Sequence, residues 1–276
     1  AAFPSKLDSV SAFERAFASR FGSVEAVAFP YGRSAQWAFL KAEGVHDAVV
    51  LMPAYTCSVV AHAVTLSGNT PRFIDIELDT YNMELNRLAE AVGPETRAII
   101  ATHTFGYPQD VNRLRDIATS AGERFGHKVW LIQDCAHAFG AQWRGQFVGS
   151  VGDVGVYGLN LSKLSTSIFG GVLTFQDRLL AAKVRQWRDE HFIPASWTKS
   201  FRRFLYLAAG VASLRDPFLT ASLFLQERTT LLQYWTHAYH RDGQIRFPPD
   251  YLSCMSKIEA RVGLSHLERY DQRIKD

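Results

Sequence analysis

Short apolar runs alternate with helical patterns along the first half of the chain, and no other feature constrains the fold as strongly. The runs occupy residues 26–29, 48–52, 72–75, 97–103 and 128–134. Such an alternation predicts a mostly parallel sheet with helices on both faces. Two more runs, at 154–157 and 172–175, bring the expected number of strands to about seven. We therefore expect an α/β protein.

The fifth run ends in Asp134, which places a carboxylate at the carboxyl edge of the sheet, where α/β proteins bind ligands. Lys163 follows among small hydroxylated residues. A lysine in a partly apolar pocket loses its charge easily and becomes a nucleophilic amine. An Asp–Lys pair suits pyridoxal phosphate, because the amine bonds to the cofactor aldehyde and the acid keeps the pyridine nitrogen protonated. For these two residues alone, an ordinary ion pair is the commoner explanation.

The surrounding motifs favour the cofactor. The segment Asp134-Cys-Ala-His137-Ala-Phe-Gly140-Ala, with Ser162-Lys163 and the pair Gly170-Gly171, resembles the DegT/DnrJ/EryC/StrS sugar aminotransferases, which are fold-type-I pyridoxal phosphate enzymes. The resemblance implies an aspartate aminotransferase-like large domain with Lys163 and Asp134 as catalytic residues. It also implies transfer of an amino group, from glutamate, to a keto sugar nucleotide in polysaccharide or glycoside biosynthesis.

Gly32, Arg33 and Ser34 stand between the first strand and a helical run. Backbone N–H groups and the helix dipole at such a position can bind an anion, although an ordinary helix cap would explain the same residues. The matching segment of the family holds the cofactor phosphate, so the resemblance implies phosphate binding here. The arginine is unusual at its position, and it either adds a charged contact or points away.

Thr56 and Cys57 match a family segment in which an aromatic residue stacks on the cofactor ring. Cys57 replaces that aromatic residue, so either another ring such as Tyr55 stacks, or the cofactor is held less firmly. Without the resemblance, Thr56 would be a helix cap and Cys57 a small core residue.

Three further residues are expected at the cofactor by resemblance. His137 would bond the ring oxygen, and Ala136 would pack against the ring face. Ser162 could compensate for Gly158, which stands where the family has a phosphate-binding serine. His103, at the end of a strand, fits a site contact and a structural hydrogen bond equally well.

Composition supports a globular protein and excludes several classes. Of the 276 residues, 47% are hydrophobic and 21% charged, and the net charge of +3 does not indicate nucleic-acid binding. Three cysteines without paired spacing argue against a disulfide framework, and no metal motif appears. No signal peptide or spanning segment is recognisable, so a cytoplasmic protein is expected.

The C-terminal third departs most from the family. Residues 195–246 contain two apolar stretches, 200–214 and 217–225, which predict a buried helical hairpin or a subunit interface, with a membrane-surface helix pair as the alternative. Residues 251–267 predict an amphipathic helix, in which Leu252 and Cys254 replace the family's Asn and Arg. We expect a large domain at 1–192, a helical insertion at 193–246, and at 247–276 a helix leading toward a small C-terminal domain that is largely missing.

These departures leave a second hypothesis open. Cys57, Gly158, Leu252 and Cys254 replace expected cofactor contacts, which would suit a pyridoxal phosphate-binding sensor or scaffold with little or no turnover. The presence of Lys163 favours transamination over the related dehydratases, which lack the lysine. By resemblance, the site is expected at the boundary between two subunits of a homodimer.

Overall fold

A computed structural model describes residues 9–213 and 245–275, without the side chains of residues 212 and 213. Its centre is a seven-stranded sheet in the order β1-β9-β8-β5-β4-β2-β3, and a two-stranded ribbon, β6-β7, lies outside it. The strands are β1 (Glu25–Phe29), β2 (Val49–Pro53), β3 (Thr70–Ile74), β4 (Thr96–Thr102), β5 (Trp130–Asp134), β6 (Gln142–Trp143), β7 (Gln146–Phe147), β8 (Val154–Gly158) and β9 (Gly171–Phe175).

Strands β3, β2, β4, β5 and β8 run parallel, which confirms the predicted mostly parallel sheet. β9 pairs antiparallel with β8, and β1 pairs antiparallel with β9 at the edge. β1 therefore points the same way as the parallel strands, but β9, the one reversed strand of this sheet, separates it from the parallel series that the alternation from residue 26 suggested. Its position follows from pairing with a strand far away in the sequence.

Helices cover both faces of this sheet, as predicted. They are α1 (Ser9–Arg20), α2 (Gly32–Ala42), α3 (Ser58–Leu66), α4 (Leu85–Ala91), α5 (Val111–Phe125), α6 (Arg178–His191), α7 (Trp197–Ser213), α8 (Lys257–Glu268) and α9 (Tyr270–Lys275), with short 3-10 turns at Thr104–Gly106 and Val148–Ser150. Alternate strand residues point to opposite faces. Val50 and Met52 accordingly join a core with α2, α3 and α6, whereas Val49 and Leu51 join one with α4 and α5 on the other face.

The start of α8 differs from the prediction. The amphipathic pattern suggested a helix from Tyr251, but the helix begins at Lys257. Ser256 caps it, because its hydroxyl accepts from the N–H of Glu259 while the Glu259 carboxylate accepts from the N–H of Ser256. This reciprocal capping box stops the helix from extending toward Tyr251.

Helix α7 falls within the predicted apolar segment and is only partly buried. Trp197 is 75% exposed and stacks on Phe201, so this end of α7 is not buried among the described residues. The choice between a buried hairpin, a subunit interface and a membrane-surface helix pair stays a prediction. The second apolar stretch, 217–225, lies outside the described residues. Among residues 9–213 and 245–275, no helix is long and apolar enough to cross a membrane. The domain boundaries at 192 and 246 stay a prediction.

Candidate active site

Asp134 is the last residue of β5, and its side chain lies at the carboxyl edge of the sheet, as predicted. The residue is 5% exposed. Its carboxylate accepts the N–H of Ala136 at 3.1 Å and the hydroxyl of Thr102, from the neighbouring strand β4, at 3.3 Å. Burial raises the pKa of Asp134, while the Ala136 bond and the positive charges of Lys163 and His137 act in the opposite direction. A cation beside this carboxylate would therefore favour its ionised form.

Lys163 lies in the loop 159–170, which joins β8 to β9. The loop folds back on itself, since the N–H groups of Leu159 and Ser167 donate to Gly170 and Leu159. The side chain of Lys163 is half-buried. Burial lowers its pKa, and the neighbouring Asp134 and Cys57 act in the opposite direction. The structure thus brings the predicted lysine to the predicted acid, with an amine that deprotonates more easily than a solvated one.

The start of α2 forms another wall of the site. Tyr31 is the residue before the helix, and its side chain makes no capping hydrogen bond. The first three N–H groups, of Gly32, Arg33 and Ser34, precede the first helical bond, which Ala35 donates to Tyr31. A helix end that begins in this way, without a side-chain cap, is of the kind that binds anions.

The side chains of Arg33 and Ser34, in this first turn of α2, have different surroundings. Arg33 is buried, and one of its guanidinium nitrogens donates to the carbonyl of Arg246 at 3.3 Å. Ser34 is fully buried in the first turn, so it does not cap the helix, and its hydroxyl has no hydrogen-bond partner within the described parts of the chain. The interpretation of Ser34 as an ordinary helix cap is thus wrong, whereas the backbone of this turn could still bind an anion.

Thr56 and Cys57 do not have the ordinary structural roles. The hydroxyl of Thr56 lies 3.0 Å from that of Thr102, and since Thr102 donates to Asp134, Thr56 donates to Thr102. Helix α3 begins one residue beyond Cys57, which is exposed and makes no capping bond. Both structural interpretations, a Thr56 cap and a Cys57 core residue, are therefore wrong. The Thr56–Thr102–Asp134 chain was missed from the sequence because it crosses between strands β2 and β5.

Three other predicted residues line the same edge. Ala136 follows Asp134 and faces Gly158, where an added Cβ would lie 3.7 Å from the Ala136 methyl. Ser162 is exposed, and its hydroxyl donates to the side chain of Asn160 at 2.7 Å. His137 is exposed, and burial together with the charge of Lys163 lowers its pKa, so the ring is mostly neutral at pH 7.

An aromatic cluster beside His137 was not predicted. The ring of Phe105 stacks on His137 with centroids 6.2 Å apart, and Tyr55 contacts both Phe105 and Tyr81. Phe105 and Tyr81 have positive φ angles of 54° and 58°, which is uncommon for bulky residues. Strained backbone of this kind clusters at ligand sites, and Phe105 is 62% exposed. Tyr55 therefore joins this cluster on the rim of the site.

His103 is a structural residue. It is fully buried, its Nδ1 accepts the N–H of Gln109 at 3.1 Å, and its Nε2–H donates to Gln133 at 2.9 Å. Gln109 in turn donates to the carbonyl of Thr102. The network ties together the ends of β4 and β5. It therefore supports Thr102 and Asp134, whose side chains are hydrogen-bonded to each other.

Protonation of His103 should destabilise the protein in weak acid. Burial lowers its pKa from 6.5 to about 4, so the unfolded chain binds the proton more readily between these values. The free energy of unfolding should then fall by about 2 kcal/mol between pH 7 and pH 5 through this residue. In urea denaturation, His103→Asn, whose side-chain oxygen can accept the Gln109 N–H, should lack this component. An equal loss in both proteins would show that folded His103 does carry the proton.

Comparisons with known proteins identify the same family along most of the chain. A family model described as the DegT/DnrJ/EryC1/StrS aminotransferase family matches residues 5–276. GDP-perosamine synthase of Caulobacter vibrioides is 33% identical over 183 residues, which cover 66% of this chain and 48% of that protein. UDP-N-acetyl-3-dehydro-alpha-D-glucosamine 3-aminotransferase of Acidithiobacillus ferrooxidans is 37% identical over 141 residues, 51% of this chain and 37% of the relative.

Solved structures share the fold. A crystal structure of DesI in the presence of its TDP-sugar product matches with a TM-score of 0.67 and 26% identity, covering 96% of this chain and 53% of that one. The chain spans between 35% and 49% of the length of the curated relatives compared.

Proposed function

The chain belongs to the DegT/DnrJ/EryC1/StrS aminotransferase family, and on that premise we propose that it acts as a pyridoxal phosphate-dependent aminotransferase. The observation that carries the proposal is the meeting of Asp134 and Lys163. A buried carboxylate at the end of a central strand and a half-buried amine influence each other's pKa at the carboxyl edge of the sheet. Few cofactors other than pyridoxal phosphate use such a pair.

The residues of the site fit this cofactor. Three N–H groups at the uncapped start of α2, those of Gly32, Arg33 and Ser34, would receive the phosphate. Among the described residues, the Ala136 methyl alone stands within 4 Å of a Cβ placed on Gly158, so the site is open beside Ala136, where the ring would lie. Asp134 provides the anion that a ring nitrogen requires.

We propose that the remaining predicted residues border that space. Thr56 supports Asp134 through Thr102. We propose that His137 bonds the ring oxygen and that Cys57 and Ser162 border the site. Arg33 would contribute its backbone N–H, since its side chain is directed to the carbonyl of Arg246.

The cofactor and these residues would supply different parts of the reaction. When bound, pyridoxal phosphate would supply an electron-accepting ring next to the substrate carbon. Asp134, held by Thr102 and the N–H of Ala136, would remain ionised and face the ring nitrogen. The Nζ of Lys163 would remove a proton from one carbon of the substrate and deliver it to another, because its lowered pKa makes the amine a readier base and acid than a solvated lysine.

For substrates, we propose glutamate as the amino donor and a keto sugar attached to a nucleotide as the acceptor. The acceptor is supported by the relatives: one is a GDP-perosamine synthase, another an aminotransferase of a UDP-linked dehydro sugar, and DesI was crystallised with its TDP-sugar product. Such a product would serve polysaccharide or glycoside biosynthesis.

We further propose a homodimer. Large apolar side chains around the site face solvent in the single chain, among them Leu78, Phe105 and Tyr107 at 83%, 62% and 60% exposure. Apolar surface of this extent commonly marks a protein interface. Sedimentation should therefore give twice the mass of one chain, and a monomer at micromolar concentration would contradict the proposal.

An absorbance spectrum tests the function directly. With pyridoxal phosphate added, the protein should develop the absorbance band of a bound cofactor, and glutamate should then shift that band as the amino group is transferred. Adding a keto sugar nucleotide should restore the first spectrum. Without a band the proposed function would be wrong.

A band that ignores glutamate and other amino donors would favour the second hypothesis, a pyridoxal phosphate-binding sensor or scaffold. One observation supports that alternative. Leu252 and Cys254, which replace two polar residues of the family, pack against the apolar core of the sheet. The glutamate-induced shift separates the two functions.

A further inference from the structure

Arg203, on helix α7, joins two walls of the candidate site from behind. Its guanidinium group donates to the hydroxyl of Tyr31 and to Asp250, both at 2.8 Å, and lies 4.3 Å from the centre of the Phe169 ring. Its side chain is only 12% exposed. Tyr31 and Phe169 also contact each other, with ring centroids 5.9 Å apart. The arginine is thus packed against Tyr31, which precedes α2, and Phe169, which precedes the Gly170–Gly171 pair.

The cation is balanced on its other side. Its Nε donates at 2.9 Å to Glu259, which is fully buried, and Lys199 lies 3.8 Å from the same carboxylate. Burial alone would lower the pKa of Arg203, but Glu259, Tyr31 and Asp250 raise it above its usual value. Arg203 therefore carries its charge throughout the pH range in which the protein is folded. Its planar group satisfies several partners at once, which a lysine cannot do.

Tyr31 and Phe169, the two aromatic partners of Arg203, each precede an element of the site. Tyr31 immediately precedes Gly32, the first residue of α2, whose N–H groups face the proposed phosphate position. Phe169 precedes the Gly170–Gly171 pair that closes the loop carrying Lys163. The two walls also touch directly, because a Cβ on Gly171 would collide with the backbone of Tyr31 and Gly32. A displacement of Tyr31 or Phe169 would consequently move one wall relative to the other.

We propose that Arg203 is a positioning residue of the site: from α7 it holds Tyr31 and Phe169, and so sets the start of α2 relative to the loop that carries Lys163. The inference rests on the proposed function, since it assigns Arg203 an effect on binding of the phosphate-bearing cofactor. Arg203 itself touches neither of the residues that would react. It gives α7, in the segment least similar to the family, a role in the site.

Two conservative variants test this role. Arg203→Lys keeps the charge but loses the planar fork, and Tyr31→Phe removes only the hydroxyl. Each should weaken pyridoxal phosphate binding about tenfold, the effect of losing one charge-assisted hydrogen bond. Titration with pyridoxal, which lacks the phosphate, should change less than about twofold if the start of α2 is what moves. The double variant should bind no more weakly than the weaker single variant, because both break the same link.

Amide hydrogen exchange gives a second readout that needs no cofactor. In the ligand-free protein, the amide of Ala35, which donates the first helical hydrogen bond to the carbonyl of Tyr31, should exchange faster in both variants than in the parent. Arg202→Lys, at the exposed neighbour of Arg203, serves as the control and should change neither exchange nor binding.

The outcomes separate this inference from the proposed function. Arg203 is only structural if the parent binds pyridoxal phosphate and both variants bind it equally well. The same conclusion follows if both variants lose affinity for pyridoxal phosphate and for pyridoxal in the same proportion as they lose thermal stability. If the parent binds no pyridoxal phosphate, the proposed function is wrong, and unchanged exchange at the Ala35 amide would independently overturn the positioning role.

Discussion

Replacing Lys163 by alanine should remove the absorbance band of bound pyridoxal phosphate and reduce amino transfer from glutamate by at least about 10³-fold. The half-buried amine of Lys163 lies beside Asp134, and we infer that it both bonds the cofactor and moves the substrate proton. One substitution therefore eliminates two functions. Single-turnover reaction with glutamate, followed by absorbance, measures the loss.

Lys41→Ala is the matched control, because Lys41 is an exposed residue near the end of α2. It should leave both the band and the rate unchanged. If Lys163→Ala retained the band and most of the rate, another amine would be the reacting group and the assignment of Lys163 would fail.

Replacing Gly171 by alanine should unfold or strongly destabilise the protein, by about 3 kcal/mol. Gly171 begins β9, and a Cβ at this position would come closer to the backbone of Tyr31 and Gly32 than real Cβ atoms come to any neighbour. Backbone atoms cannot rotate away as a flexible side chain can. The start of α2 would have to move, so the proposed phosphate position would be lost in whatever protein still folds. Urea denaturation measures the free energy of unfolding.

Gly158 offers a control in the same strand pair. It is the register partner of Gly171 across β8 and β9, yet within the described parts of the chain a Cβ there would meet only the Ala136 methyl, at the ordinary contact distance of 3.7 Å. Gly158→Ala should therefore cost less than about 1 kcal/mol. Equal costs at the two positions would mean that the effect at Gly171 comes from strand propensity and not from its contact with α2.

Local patterns predicted the strands of the sheet, and the family resemblance of one motif led to the proposed reacting pair. Apolar runs of strand length identified the seven strands, and the motif around Asp134 with the later Lys163 identified two residues that the structure brings together. These signals are local because a buried parallel strand needs a continuous apolar run. The acid at its end is then placed at the site by the direction of the strand alone.

What could not be predicted depends on contacts between distant segments. Thr102 supports Asp134 only because β4 lies next to β5, and Arg203 reaches Tyr31 only because α7 packs behind the site. Neither relation leaves a periodic trace in the sequence. The start of α8 was missed for a different reason: the apolar pattern continues toward Tyr251, but the capping box at Ser256 decides where the helix begins.

The pairing of β1 with β9 has a consequence for synthesis of the chain on the ribosome. Phe29 and Gly171 are register partners, so β1 emerges early but has no neighbour until nearly the whole sheet has been translated. During that interval its apolar faces and the Phe13 and Phe17 rings of α1 remain without their final core. Contacts between such distant segments form slowly. β1 is therefore expected to stay unpaired until residue 175 has emerged, and the rings of α1 wait longer still, until Ala260 and Leu267 of the same core have been translated.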